Sequence, residues 1–399
     1  MIHTGAGMSL NPDSKAAAAE ALGEAVQPLP EPAATAAWVF GTSHHSKSFQ
    51  EILDFLRSKI HIRALFGATG AGIIGPRGEV ESEPGLSILL MSSDRVTAGA
   101  AMAPDLRSDA VQHLRGELPS LYRERGVLFL TADPRSLHPG FLSRMAHAFP
   151  ETPVVGAAAG WSAESQVATI AADGESSHHG CAALHLAGCV EASIGVAHAV
   201  LPESEPRPIT SASDNRIAQI DHEPAADVLA AFVQEQRKAH PQQDRIDIFC
   251  ALADSLKDYI AGRYIVRSIL AVELATQHVS VAEPVRAGQF ICFGVRSARG
   301  SRRTFRQMLE RLSGGLSGRA PRATVIFNCC ARGLSLYGRP HVDLDAYREF
   351  FPELPVAGLF GFAEIGPIHW DGRKVRSAIL NHTAVLTLLT EPMEALGAT

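Results

Sequence analysis

Two segments near the C-terminus carry the side chains best suited to chemistry. Asn328-Cys329-Cys330-Ala331-Arg332-Gly333 supplies adjacent thiols and a guanidinium, and the stretch from Gly358 to Glu364-Ile365-Gly366-Pro367 supplies a carboxyl. A thiol works as a nucleophile or redox switch through its thiolate, and a nearby Arg would favour that form. Neighbouring cysteines at a strand end also serve as small buried residues, so both readings stand. Arg332 suits a ligand carboxylate or phosphate, and it suits a structural pairing with Glu364 as well. No His can be placed beside the thiols. Without a complete acid, base and nucleophile set, the chain is not expected to be an enzyme, and a thiol-dependent enzyme using Cys329 or Cys330 is the alternative.

Other motifs carry less. Gly70-Ala71-Gly72-Ile73-Ile74-Gly75 spells a dinucleotide fingerprint after a strand, but Pro76-Arg77-Gly78 follows where a helix must open. His44-His45 and His178-His179 are adjacent pairs, which point to opposite faces if extended and make poor joint metal ligands. Nucleophile-elbow, zinc-protease and Walker motifs are missing. No cofactor and no metal are expected.

The elements that must position these residues repeat. Phe149-Pro150-Glu151-Thr152-Pro153-Val154-Val155-Gly156 recurs as Phe351-Pro352-Glu353-Leu354-Pro355-Val356-Ala357-Gly358 with six of eight residues identical. An earlier copy aligns without a gap, matching Phe40 to Phe129, Thr42 to Thr131 and Gly67 to Gly156. Each copy reads as strand, amphipathic helix, a second strand ending on Gly, and a third strand, over residues 38–95, 125–190 and 323–390. Small-residue loops follow the second strands: Gly67 to Gly72, Gly156 to Gly160 and Gly358 to Gly361. Tight turns alone need such glycines. Three of them at equivalent places point instead to a shared pocket, since duplicated units pack about a pseudo-axis.

At 399 residues the chain is long enough for two domains, with 46% hydrophobic and 20% charged residues as in an ordinary globular protein. A formal net charge of −6 argues against a nucleic-acid binder. The Arg-rich stretch from Arg296 to Arg322 has Phe305, Met308, Leu309 and Leu312 at helical spacing, so it reads as a helix with one buried stripe and a solvated basic face. Six irregularly spaced cysteines make no disulfide framework. With no secretory signal and no membrane span in the pattern, a soluble, cytoplasmic protein is expected. Cys181 to Leu201 reads as two buried strands joined by a turn, and residues 1–37, rich in Ala and then Pro, read as a disordered tail.

The duplicated first half, together with Asn328 to Gly338 and Pro355 to Pro367, resembles the FIST family, with FIST N and FIST C domains. The resemblance covers about residues 38 to 390. Pro, Glu and Ser cluster from Leu201 to Pro208, which sets the two domains at 38–207 and 208–399, and the resemblance implies a stand-alone small-ligand sensor without an output domain, acting through a protein partner. A protein-interaction adapter like the family's F-box relative is the alternative. Where the family carries an acidic residue six positions after the loop glycine, Glu364 matches and the first copy has Ile73. The expected fold is α/β, mixed sheets covered by helices and built from the repeated units. Ser43, Gly70, Gly72, Cys329, Arg332, Gly333 and Glu364 are the expected pocket. Arg332 would hold the carboxylate of an amino acid or small organic acid.

Overall fold

The computed structural model describes residues 1–107, 109–118, 125–161, 167–242, 246–370 and 374–392. The chain divides into two bodies, one of Met1–Ala197 with Phe305–Thr399 and one of His198–Thr304.

The first body consists of three copies of one unit. Repeat one runs β1 (His3–Ser9), α1 (Ser14–Ala25), β2 (Ala33–Thr42), a 3-10 turn (Ser43–Ser48), α2 (Phe49–Lys59), β3 (His61–Gly70), the hairpin β4 (Gly72–Gly75) and β5 (Gly78–Glu81), and β6 (Leu86–Ser92). Repeat two runs β7 (Val96–Ala103), α3 (Ala110–Glu117), β8 (Gly126–Ala132), α4 (Pro139–Ala148), β9 (Val154–Ala158), the hairpin β10 (Ile170–Ala172) and β11 (Glu175–Ser177), and β12 (Cys181–Gly188). Repeat three opens with β13 (Glu191–His198) and is interrupted by the second body. That body contains β14 (Val200–Pro202), β15 (Arg207–Ser213), β16 (Arg216–Ile220), β17 (Glu223–Pro224), α5 (Ala225–Ala239), β18 (Ile248–Ala253), α6 (Leu256–Ile260), β19 (Ile265–Glu273), β20 (His278–Val281) and β21 (Phe290–Arg296). Repeat three resumes with α7 (Ala298–Gly314), β22 (Pro321–Cys329), α8 (Gly333–Tyr337), α9 (Val342–Phe350), β23 (Val356–Gly361), the hairpin β24 (Ala363–Trp370) and β25 (Val375–Leu380), and β26 (Thr383–Thr390).

In each repeat the two central strands are parallel, β2 with β3, β8 with β9 and β22 with β23. The last strand returns antiparallel beside the first of them, β6 on β2, β12 on β8 and β26 on β22. The hairpins do not stay at home. β4 pairs with β23, β10 with β3 and β24 with β9, so each repeat lends its hairpin to another in a closed cycle of three six-stranded sheets. Helices cover the sheets through the stripes that the periodicity predicts: Phe49, Ile52, Leu53 and Leu56 of α2 and Phe305, Met308, Leu309 and Leu312 of α7 are all buried.

Aromatic edges join the repeats. Trp38 meets Phe129 at 5.3 Å, Phe66 meets Phe129 at 6.4 Å and Phe40 meets Phe327 at 5.8 Å. Beside them Gly67, Gly156 and Gly358 lie opposite Val39, Leu130 and Ile326. A Cβ on these glycines would stand 2.3, 1.8 and 2.3 Å from the facing carbonyl oxygens, so no side chain fits. This register corrects the gapless alignment, because it sets Val39 rather than Gly41 level with Leu130. The helical connections differ in length, and glycine identity alone could not show where the first strands begin.

The disordered tail expected over residues 1–37 is also corrected. β1 pairs with β6 along its whole length, and α1 is capped by Asp13, which accepts from the Ala16 N–H at 2.7 Å. Ala17, Ala18, Ala21 and Ala25 are fully buried. A Cβ on Gly5 or Gly7 would come within 2.1 and 2.0 Å of the Ala25 and Ala21 carbonyl oxygens. The small residues let helix and strand touch backbone to backbone, and that composition imitates a disordered segment.

In the second body β21, β15, β16, β20, β19 and β18 form a ring closed by the β18–β21 pairing. Closure removes most free edges. Ala225, Leu229 and Phe232 of α5 share one core with Ile209, Cys250, Val279 and Phe293 of the strands. The division expected between 207 and 208 lies inside this body and cuts its second strand, β15, after the first residue. Among the described residues, no helix is long and apolar enough to cross a membrane.

Candidate functional site

The loops after β3, β9 and β23 are where the hairpins leave for neighbouring sheets. Ala71 N–H donates to Phe360 O at 2.9 Å, Gly160 N–H to Thr69 O at 2.9 Å and Phe362 N–H to Ala158 O at 3.2 Å. Each donor is the fourth residue after the register glycine and each acceptor the second, so the three bonds form one cyclic set. A Cβ on Gly70 would fall 2.5 Å from Phe360 O, and one on Gly72 2.6 Å from Val80 O. Backbone approaches backbone here, which is why these residues are small. Ser43, buried, begins the 3-10 turn after β2, the place in repeat one that Cys330 takes in repeat three.

At the end of β22, Cys329 lies opposite Gly361 and the Cys330 N–H donates to Gly361 O at 2.8 Å. On an extended strand successive side chains point to opposite faces. The chain turns at Cys330, just past the end of β22. Cys329 is buried and Cys330 half-buried. The neighbouring Cys330 thiol, then burial, raises the Cys329 pKa well above the usual thiol range, and the Cys329 thiol lowers that of Cys330.

Arg332 is fully buried, and its partner is Asp343 rather than Glu364. Nε and Nη2 donate to the two Asp343 carboxylate oxygens at 2.9 Å each, Nη2 also donates to the Tyr337 hydroxyl at 3.0 Å, and the guanidinium lies 5.5 Å from the centre of the Phe305 ring. Asp343 further accepts from Asn328 Nδ2 and the Tyr337 hydroxyl. The cation expected to hold a ligand carboxylate is therefore already held. Removing it would leave Asp343 buried without its counter-charge, typically a loss of about 3–5 kcal/mol.

Glu364, on β24, is fully buried and accepts at Oε2 from the Thr383 N–H at 3.2 Å and hydroxyl at 2.6 Å. Burial, then the nearby Cys329, lifts its pKa well above the carboxylate range. Its Oε1 has no hydrogen-bond partner, and neither do Asn328 Oδ1 and Arg332 Nη1. Each such buried atom costs about 1–3 kcal/mol.

Two carboxyls that the sequence reading missed complete the corner. On β5, Glu79 and Glu81 share a face by strand alternation. Glu79 accepts from the His341 and Leu344 N–H groups at 2.7 and 3.0 Å, while its own N–H donates to His341 Nδ1 at 2.9 Å. Glu81 accepts from the Leu334 N–H at 2.8 Å. The hairpin lent by repeat one thus caps α9 and α8 of repeat three. Burial, then the Asp343 charge, outweighs the two N–H donors and brings the Glu79 pKa up to about 8. Burial raises that of half-buried Glu81 as well. Gly333 lies beside Glu81 with φ +44°, and a Cβ there would meet Glu81 Oε1 at 2.1 Å. The sequence signal was Gly78-Glu79-Val80-Glu81, two acids at strand spacing.

The structure thus brings together Cys329, Arg332, Gly333 and Glu364 with the β4–β5 hairpin that carries Gly72, and places Gly70 in the backbone crossing. A separate cleft of about 480 Å³, lined by Thr4, Pro28, Arg322, Phe351 and Pro355 among others, lies at the opposite ends of β22 and β23. Among the described residues no group of three or more His, Cys, Asp or Glu is arranged to hold a metal ion.

Comparison with known proteins follows this architecture. The FIST N domain matches residues 35–223 and the FIST C domain residues 225–367. An uncharacterized protein of Mycobacterium bovis, Mb0898c, is 26% identical over 399 residues, covering 98% of this chain and 99% of its own length. The uncharacterized protein MT0656 of Mycobacterium tuberculosis is 25% identical over 373 residues, covering 91% and 94%. The junction of the two family domains falls within the second body, between β16 and α5.

Proposed function

The chain belongs to the FIST family, whose domains are linked to small-ligand sensing in signal transduction, and from that membership we propose that it is a cytoplasmic sensor of an amino acid. The ligand is taken at the corner formed by the end of β22, α8 and the β4–β5 hairpin, and its presence is passed to a separate signalling protein. One observation carries this reading. Asn328 Oδ1, Arg332 Nη1 and Glu364 Oε1 are buried without partners around a single strand end, a cost that a binding site explains and a mere packing corner does not.

The ligand class follows from what is left to bind it. Asp343 offsets the Arg332 charge and leaves only its Nη1 N–H to meet a ligand, enough for one carboxylate but not for the two of a dicarboxylic acid. Glu81, half-buried beside Gly333, is an acceptor that suits an ammonium group. An amino acid offers one. Native mass spectrometry of the purified chain is expected to retain such a molecule, and calorimetry to show that Glu81→Gln weakens it about tenfold or more, equivalent to ~1.4 kcal/mol. Retention of a dicarboxylic acid, or unchanged affinity in the variant, would remove this reading. A stoichiometric protein partner with no retained metabolite would favour the adapter role.

A further inference from the structure

We propose that Trp161 and Phe362 are specificity-determining residues of the corner, and that the amino acid taken there carries an apolar side chain several carbons long, packed against these two rings. The inference rests on the amino-acid reading and adds the side-chain class of the ligand.

Three observations converge on it. The rings meet edge to face with centroids 4.6 Å apart, and both residues are half-buried, which leaves ring surface for a third group. Their backbones adjoin the corner. Phe362 follows Gly361, whose carbonyl accepts from the Cys330 N–H at 2.8 Å, and precedes Glu364 by two residues. Trp161 follows Gly160, where a Cβ would stand 2.9 Å from the Ala71 nitrogen. Finally, the cycle of loops is open on one side. Phe362 and Trp161 are the fourth and fifth residues after their register glycines, and repeat one has Ala71 and Gly72 at those places. Gly72 pairs with Glu81, the acceptor assigned to the ammonium.

These positions also set the length of the ligand. Phe360 pairs with Gly72 and Gly72 with Glu81, so Glu81 stands two strands from Phe360, about 10 Å across the sheet. Phe362 lies two residues beyond Phe360. An ammonium held at Glu81 therefore leaves glycine, alanine and serine short of the rings, whereas leucine, methionine or phenylalanine spans the gap. Phe362 has no polar atom and Trp161 a single donor, so a hydrocarbon side chain gains from the contact while a hydroxyl or carboxylate gives up hydration for little in return.

The test is calorimetry of the full chain with L-leucine, L-phenylalanine, glycine and L-lysine as probes, each variant first shown to melt cooperatively. Leucine and phenylalanine are expected to bind about tenfold or more tighter than glycine. Trp161→Ala is expected to erase that preference, Trp161→Phe to retain most of it, and Glu81→Gln to weaken all the probes alike. Equal affinities for glycine and leucine, a preference that survives Trp161→Ala, or tighter binding of lysine through its cation would overturn the side-chain class and leave the amino-acid reading standing. No binding of any of the four would overturn that reading and this inference with it.

Discussion

Glu364 sets a pH dependence by itself. Burial and the neighbouring Cys329 raise its pKa well above 4.5, so the folded chain keeps a proton that the unfolded chain releases. Its contribution to stability is complete below the unfolded carboxyl pKa and is lost as pH climbs towards the raised folded value. Glu79, brought up to about 8, acts in the same direction. The denaturant midpoint of the wild type is therefore expected to fall between about pH 5 and pH 8. Glu364→Gln keeps the shape and the Thr383 hydrogen bonds but cannot ionise. It should flatten part of that fall, by about 1.4 kcal/mol for each unit of pKa shift removed, leaving the share due to Glu79. An identical pH profile in urea titrations of the two proteins would contradict the assignment.

The β4–β5 hairpin acts as a double cap, and its two carboxyls should not weigh equally. Glu79 satisfies two N–H groups of α9 from a buried position, and Glu81 satisfies one of α8 from a half-buried position. Glu79→Ala is expected to cost roughly 2–4 kcal/mol and Glu81→Ala about 1 kcal/mol in chemical denaturation. Equal losses would mean that the caps are not what holds the hairpin. This element also marks the limit of the sequence reading. The stripe on α2 and the repeated Phe-Pro-Glu turn were legible because their signals are local, and so were two strands within Cys181 to Leu201, although β12 and β13 lie in different sheets and β13 is mostly only half-buried. Glu79 and Leu344 are 265 positions apart, and no periodicity reports a bond of that span. Asp343 was missed as the partner of Arg332 because nothing in the spacing separates it from Glu364. Alanine and glycine in β1 and α1 were taken for disorder because close backbone contact and lack of structure draw on the same residues.

For the whole molecule, the exchange of hairpins makes the first body indivisible while leaving the second removable. Thr304 Oγ1 donates to His198 O at 2.7 Å, so the chain enters and leaves the second body at neighbouring residues. Replacing residues 199–303 by a short Gly-Ser linker is expected to leave a soluble protein with one cooperative thermal transition. Repeat one alone, residues 1–95, should show none, because β3 lacks β10 and β4 lacks β23. A cooperative fragment would count against the closed cycle. The same exchange sets a clock on biosynthesis. Ile74 meets Gly358, so translation must continue from one to the other before the first hairpin has an edge to join. At about 5–20 residues per second that wait lasts roughly 15–60 s. Throughout it the nascent chain displays unpaired strand edges on the ribosome, so a stalled message should be more damaging near its end than near its start.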